Sequence, residues 1–518
     1  MILELTVFLL FCAAALGWVA HRFQFPYPIA LVAGGAMLGL IPRLPQFPFD
    51  PQFILILILP PILYQAALMT SWSDFKAHIR PIGLLSIGLV VATTLAVGAA
   101  LKLLVPEVPW AAAFVLGAIV SPPDAVAATA ILSRLKIPRR VVTVLEGESL
   151  VNDASGLVIY KFAVVAVLTG TFSLSEALVQ FGGIAIGGIL LGIGTAHLFI
   201  AIHRQLDDPF IEILISLLVP YATYIVAESL HASGVLALVA AGLVRGRYAP
   251  EIVSASMRIL GRPAWQLVVF MLNSLTFMLI GLQMSSILDK LSLYSPVQLL
   301  TLGSTVSLVA IGVRFVWVYT AALLPGGWGK RNTANAEPPN ARENFIISWC
   351  GMRGIVSIAA ALSLPLVLPD GSAFPHRDLI VFMTFFVITV TLVVQGLSLP
   401  VLIRKLKVGT TWNEHEEKAR VHAAISAAAL QALDLHVETH APPRAWAESL
   451  RAEITNRITL AVPEGENHWT HEASIMHLRH AVIQAERKEL IRLWRDNQVS
   501  DEVMHRIEEM LDHQEAHL

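Results

Sequence analysis

Apolar runs of membrane length recur along the chain as far as residue 403 and then stop. A bilayer core of ~30 Å takes about 20 residues of helix. At that length the runs predict about thirteen spans. They lie at 1–20, 28–42, 52–70, 81–104, 109–132, 141–169, 174–201, 210–230, 232–245, 264–288, 296–324, 343–368 and 378–403. The second and ninth are short, and the ninth reads as a span or a re-entrant segment. Beyond 403 the pattern becomes polar with a helical period, predicting amphipathic helices over 413–437, 444–460, 472–497 and 500–516. Pro442-Pro443 separates the first two, and Ser500 before Asp501 and Glu502 is a helix start. The expected architecture is an all-α polytopic membrane domain over 1–403 and a helical soluble tail over 404–518.

Composition sharpens this division. Of 518 residues, 55% are hydrophobic and 14% charged, against about 25% charged in a soluble domain. Mean hydropathy is +0.67. A soluble enzyme, a disordered chain and a basic nucleic-acid binder are excluded, so no nucleic-acid partner is expected. The net charge of −2 conceals an uneven distribution, with 41 charges in residues 1–403 and 33 in the last 115. Glu4 stands where a signal peptide would carry basic residues, so the first run reads as a membrane helix. Cys12 and Cys350 lie in apolar runs and suggest neither a disulfide framework nor a metal site.

The loop charges predict orientation. With thirteen spans and the tail inside, the inside loops hold 15 basic residues and the outside loops 4, namely Arg43, Lys102, Lys290 and Arg377. The positive-inside rule then puts the N-terminus outside and the tail in the cytoplasm of a bacterial inner (plasma) membrane. Gly183, Gly187, Gly188 and Gly192 in the seventh span, and Gly35 and Gly39 in the second, have GxxxG spacing. They are read as contacts between helices of one chain before a dimer seam.

Three basic residues lie within spans: Lys161, Arg314 and Arg353. The deep acids are Asp124, Glu146, Glu148 and Asp153, with Glu212 and Glu228 nearer span ends. An ionisable group at the bilayer centre costs at least ~2.5–3.5 kcal/mol, so it pairs, lines water or does chemistry. Pro122 and Pro123 precede Asp124 in mid-span and predict a helix break near Ser121. A plain kink is the bland alternative. A break at that depth must be buried or face water, and it frees carbonyls for a cation. In LEGESLVNDASGLVIYK, Ser149, Asn152 and Asp153 share a helical face, with Glu146 seven residues before Asp153. These are hard oxygen ligands suited to an alkali cation. The bland alternative is a polar stripe along a lumen. Gly351 and Gly354 flank Arg353 in the twelfth span, where a second break is expected. Two interrupted spans in corresponding positions of two halves point to a transport site. Arg353 needs a counter-charge, with Glu148 and Glu146 as candidates, and the pair is as well explained by structure as by transport. Arg314 is left to pair with an acid or stack on Trp317. Lys161 reads as reaching for the interface.

SPPDAVAATAIL, GESLVNDASGLV and WCGMRGIVSIAAALSLP together resemble the monovalent cation:proton antiporter-1 family, and more narrowly its bacterial NhaP-type Na⁺/H⁺ antiporters. LNSLTFMLIGLQ and LPPILYQAAL are similar to segments of the same family, and the similarity extends into the tail. The resemblance implies inverted repeats, two crossed broken helices, a homodimer, and electroneutral exchange of one cation for one proton. The transported Na⁺ and H⁺ are then the only ions needed, with no cofactor. Asp153 is implied as the transport carboxylate, with Na⁺ held by Asp153, Asp124 and Ser149. Asn152 is implied as the residue replaced by a second Asp in electrogenic relatives. Glu148 is implied as the partner of Arg353; the buried charges themselves add Glu146 and Arg314 as accessory candidates. Two positions depart from the pattern. Pro123 stands where many members have Thr, leaving only its backbone carbonyl as a ligand. Gln65 stands where many have Glu.

Rival classes are disfavoured. A channel would show repeated acidic rings or pore-loop carbonyls. An intramembrane protease would show GxGD, GASG or HExxH, and Asp124, Asp153, Ser155 and Ser233 lack those contexts. Exchange of Li⁺ or K⁺ at the same site stays open. The tail holds 11 of the 17 histidines, among them His415, His422, His436 and His440. Solvated helix faces are the first reading, and a cytosolic pH sensor is the functional alternative.

Overall fold

The computed structural model describes residues 2–461 and 486, apart from 24–25, 42–55, 133–134, 136, 172, 207, 284–286, 288–290, 292–293, 324–339, 409–413 and 441–443. Apart from one isolated bridge, Val367 to Ala373, the described residues hold no strand. The chain divides into two units, Met1–Thr410 and Thr411–Leu518. The first unit runs seven residues past the expected boundary. Its last helix continues through Arg404 and Lys405 and closes at Lys407 in the left-handed conformation, φ 50°.

In the first unit the helices are α1 (Ile2–Arg22), α2 (Tyr27–Gly39), α3 (Leu59–Met69), α4 (Trp72–Ala77), α5 (Ile79–Leu104), α6 (Trp110–Val120), α7 (Ala125–Leu132), α8 (Arg139–Thr169), α9 (Leu174–His203), α10 (Pro209–Ser229), α11 (Gly234–Ile252), α12 (Ala255–Leu282), α13 (Pro296–Leu323), α14 (Ala341–Trp349), α15 (Ile355–Leu362) and α16 (Arg377–Leu406). Among them, α5, α8, α9, α10, α12, α13 and α16 are long and apolar enough to cross a membrane. The shorter apolar helices α2, α3 and α6 accompany them. The short ninth run forms a continuous helix of 19 residues, α11. At 1.5 Å per residue it is about 28 Å long, and it is not among the helices long and apolar enough to cross a membrane.

Polar caps start several of these helices. The Asp208 carboxylate accepts from the Phe210 and Ile211 amides at the head of α10. The Ser233 and Ser254 hydroxyls do the same for α11 and α12. They satisfy backbone donors that the helix itself leaves open. Small residues let helices approach closely. A Cβ on Gly188 or Gly192 of α9 would strike the Ser233 or Ala237 carbonyl of α11. The GxxxG spacing thus serves packing within one chain.

Two stretches share one plan: a long helix, a broken helix, then another long helix. The first is α5, α6–α7, α8, and the second is α13, α14–α15, α16. The breaks meet. The Asp124 amide donates to the Met352 carbonyl at 2.7 Å.

In the second unit, α17 (Glu414–His440) and α18 (Arg444–Ala461) pack together, joined by an Arg451–Asp434 ion pair. His415, His422, His436 and His440 lie on α17, where their side chains fall outside the described residues. The remaining seven tail histidines lie outside them as well, as do the helices expected over 472–497, residue 486 apart, and 500–516.

Candidate functional site

Helix α6 ends at Val120 and the chain turns through Ser121–Asp124 before α7 begins. Two successive prolines explain the break. Neither has an N–H to give, and each ring crowds the carbonyl behind it. Single prolines do not have this effect here, since Pro220 and Pro263 sit inside continuous helices. The carbonyl of Pro123 accepts the Asn152 side-chain amide at 3.1 Å, pinning the break to α8. One lone pair of that carbonyl is thus taken by protein.

The second break runs from Cys350 to Gly354. The Arg353 amide donates to the Thr391 hydroxyl at 3.1 Å, and its guanidinium donates to the Gly351 carbonyl at 2.8 Å. Gly354 lies directly against Asp124. A Cβ there would fall inside the Asp124 carboxylate.

A cavity of about 730 Å³ opens beside this crossing. Asp153, Asp124, Ser149, Glu146 and Pro123 all line it. Asn152 is fully buried behind Asp153, holding the break. Gln65 of α3 and Arg262 of α12 also line the cavity. Asp153 is 6% exposed. Among the described residues, no basic side chain pairs with it. The two buried arginines nearby are engaged elsewhere.

One expected pairing is corrected. Glu148 pairs with Arg314 and not with Arg353. The Arg314 guanidinium reaches both Glu148 oxygens, at 2.5 and 2.7 Å, and both residues are 1% exposed. Arg314 also donates to the Ile347 carbonyl at 3.0 and 3.1 Å. The bidentate fork suits arginine in a low-dielectric site. Of the two partners expected for Arg314 it thus takes the acid, and Trp317 donates to the Leu84 carbonyl at 3.0 Å. Arg353 keeps the Gly351 carbonyl, and its Nε has no hydrogen-bond partner among the described residues. Lys161 lies 3.5 Å from Glu228 in an exposed pair.

A buried charge cluster went unread in the sequence. His203 Nε2 lies 3.4 Å from Glu212 and 3.1 Å from Arg245, whose guanidinium also donates to the Tyr64 hydroxyl at 3.2 Å. Arg245 is therefore no loop residue. It is 2% exposed, tying α11 to α9 and α3. Its removal from the loop count leaves the charge bias in the same sense. Tyr27, Asn273 and Ser357 also line the cavity and were not singled out as ligands. Their signal was present, as neutral polar residues within apolar helices.

The chain matches the family model described as sodium/hydrogen exchanger, transmembrane, over residues 7–405. It is 32% identical to an uncharacterized Na⁺/H⁺ exchanger of Mycobacterium tuberculosis, covering 98% of this chain and 95% of that one. It is 34% identical to a sodium, potassium, lithium and rubidium/H⁺ antiporter of Bacillus subtilis, over 77% of this chain and 61% of that protein. Its fold is similar to that of the sodium proton antiporter MjNhaP1 from Methanocaldococcus jannaschii. The TM-score is 0.63 at 18% identity, covering 78% of this chain and 99% of that one.

Proposed function

The chain belongs to the sodium/hydrogen exchanger family, and from that membership we propose that it carries Na⁺ one way and H⁺ the other across a bacterial plasma membrane, one for one, at Asp153. The observation that carries this reading is a buried carboxylate without a basic partner, at the wall of a cavity that a second carboxylate shares. An ionised carboxylate is costly in such a place without a counter-charge. A proton or a monovalent cation supplies one, and each excludes the other. Asp153, Asp124 and Ser149, with the second lone pair of the Pro123 carbonyl, are the ligands in this reading. Asn152 holds the break in place.

Whichever ion is bound lowers the cost of moving the site past the hydrophobic barrier. Alternating access follows from rocking of the broken-helix core against its neighbours. The cavity is lined by Glu146 and Arg262, near the starts of α8 and α12, and by Met69 at the end of α3. Those helix ends carry the basic loops, so the cavity opens toward the cytoplasm in the proposed orientation. A homodimer, with tail inside and N-terminus outside, belongs to this reading.

A second reading, exchange of K⁺ or Li⁺ at the same site, draws on the Bacillus relative, whose name includes those ions. The departures at Pro123 and Gln65 remove a hydroxyl and an acid that would favour a strict choice. Reconstitution in proteoliposomes under a pH gradient, with each cation added in turn, tests both. Na⁺-driven dissipation that is indifferent to membrane voltage is expected. Asp153→Asn should abolish it in a protein that still folds. Normal dissipation by that variant would overturn the assignment.

A further inference from the structure

We propose that Asn273 and Ser357 are cation ligands on the cavity wall beside Asp124, and that they decide which alkali ion is preferred. This deepens the exchange reading above and rests on it. Both residues line the cavity and both are 2% exposed. Asn273 Oδ1 and Ser357 Oγ have no hydrogen-bond partner among the described residues. Buried oxygens without partners occur elsewhere, at Ser86, Thr93 and Gln395. None of those lines the cavity. Native proteins pair nearly all buried polar atoms, so an orphan at a site wall signals a ligand that completes it.

Each position neighbours a residue that lies near Asp124. Ser357 lies one helical turn beyond Gly354, which is pressed against the Asp124 carboxylate. Asn273 shares a side-chain hydrogen bond with Tyr27, whose hydroxyl is within electrostatic reach of Asp124. That bond holds the amide while Oδ1 stays without a partner. Carbonyl and hydroxyl oxygens beside a carboxylate are the hard donors an alkali cation takes. Being neutral, they replace hydration water without changing the charge balance. Their loss should therefore weaken and re-rank cation binding while leaving one proton exchanged per ion.

The test uses the full chain in proteoliposomes, with Asn273→Leu and Ser357→Ala. Apparent KM and Vmax are recorded for Na⁺, Li⁺ and K⁺. Each variant should raise KM for Na⁺ by about tenfold, more than it lowers Vmax. KM for Li⁺, which needs fewer ligands, should rise less. A Na⁺ to Li⁺ ratio equal to that of the parent chain would overturn the proposal, as would equal losses for all three cations carried in Vmax. Ser357→Ala removes a single atom, and the thermal shift given by Na⁺ to the purified chain reads binding independently of transport. An undiminished shift also overturns it. If the parent chain itself exchanges no cation, the functional reading falls and takes this inference with it. If the parent exchanges and Asp153→Asn does not, unaltered KM values sink this inference alone.

Discussion

Glu148 and Arg314 hold the clearest electrostatic stake at the scale of single residues. Each is 1% exposed, and together they satisfy a fork of two charged hydrogen bonds. Removing one partner strands the other charge in a medium that cannot solvate it. Glu148→Gln should therefore destabilise the membrane domain by about 3–5 kcal/mol, seen as a lower Tm in detergent. Glu148→Gln with Arg314→Met should recover much of that loss, since no charge is left behind. The sequence showed that these buried charges need partners. It did not show which arginine meets Glu148, because Arg314 lies on α13 and Arg353 in the break between α14 and α15, and only packing decides which of them faces Glu148. Arg245 was misplaced for a related reason. A charged residue near a span end reads as loop until its buried partners, His203 and Tyr64, come from distant helices.

The decisive elements are the two broken helices. The first break was legible, because tandem Pro122-Pro123 removes two consecutive donors in mid-span. The second was legible from Gly351 and Gly354, though not for the reason that matters. Gly354 is required because the Asp124 carboxylate occupies the place of its Cβ. Gly354→Ala should cost about 1–3 kcal/mol through overpacking and should depress exchange. Gly312→Ala in α13, where a Cβ meets nothing within 4 Å, should leave both stability and exchange near the parent level. A thermal melt and a pH-gradient assay on the two variants check this contrast. Equal losses would show that the close approach of Asp124 is not what requires Gly354. The neutral ligand candidates escaped notice because hydropathy ranks charges first. Asn273 and Ser357 are single polar residues in apolar helices, visible as ligands only when the cavity is drawn.

For the whole molecule, charge density predicts a membrane unit and a tail that part at 403, and the chain divides into two units after Thr410. Between those positions α16 runs on as a helix to Leu406, past its last apolar turn. Every residue assigned to the site, from Tyr27 to Ser357, lies in the first unit. Truncation after Thr410 should therefore leave exchange in place. Reading the tail histidines as solvated predicts an unchanged activity–pH profile for the truncated protein, whereas a displaced profile would make them a sensor. The central claim is that Na⁺ and H⁺ compete for the carboxylate of Asp153. Proton release on addition of Na⁺ to the purified protein, in weakly buffered detergent over a range of pH, tests it most directly. Competition predicts a release that rises toward about one proton per bound ion where the site starts protonated, and none from Asp153→Asn. Na⁺ binding to the parent protein with no proton released at any pH would contradict it.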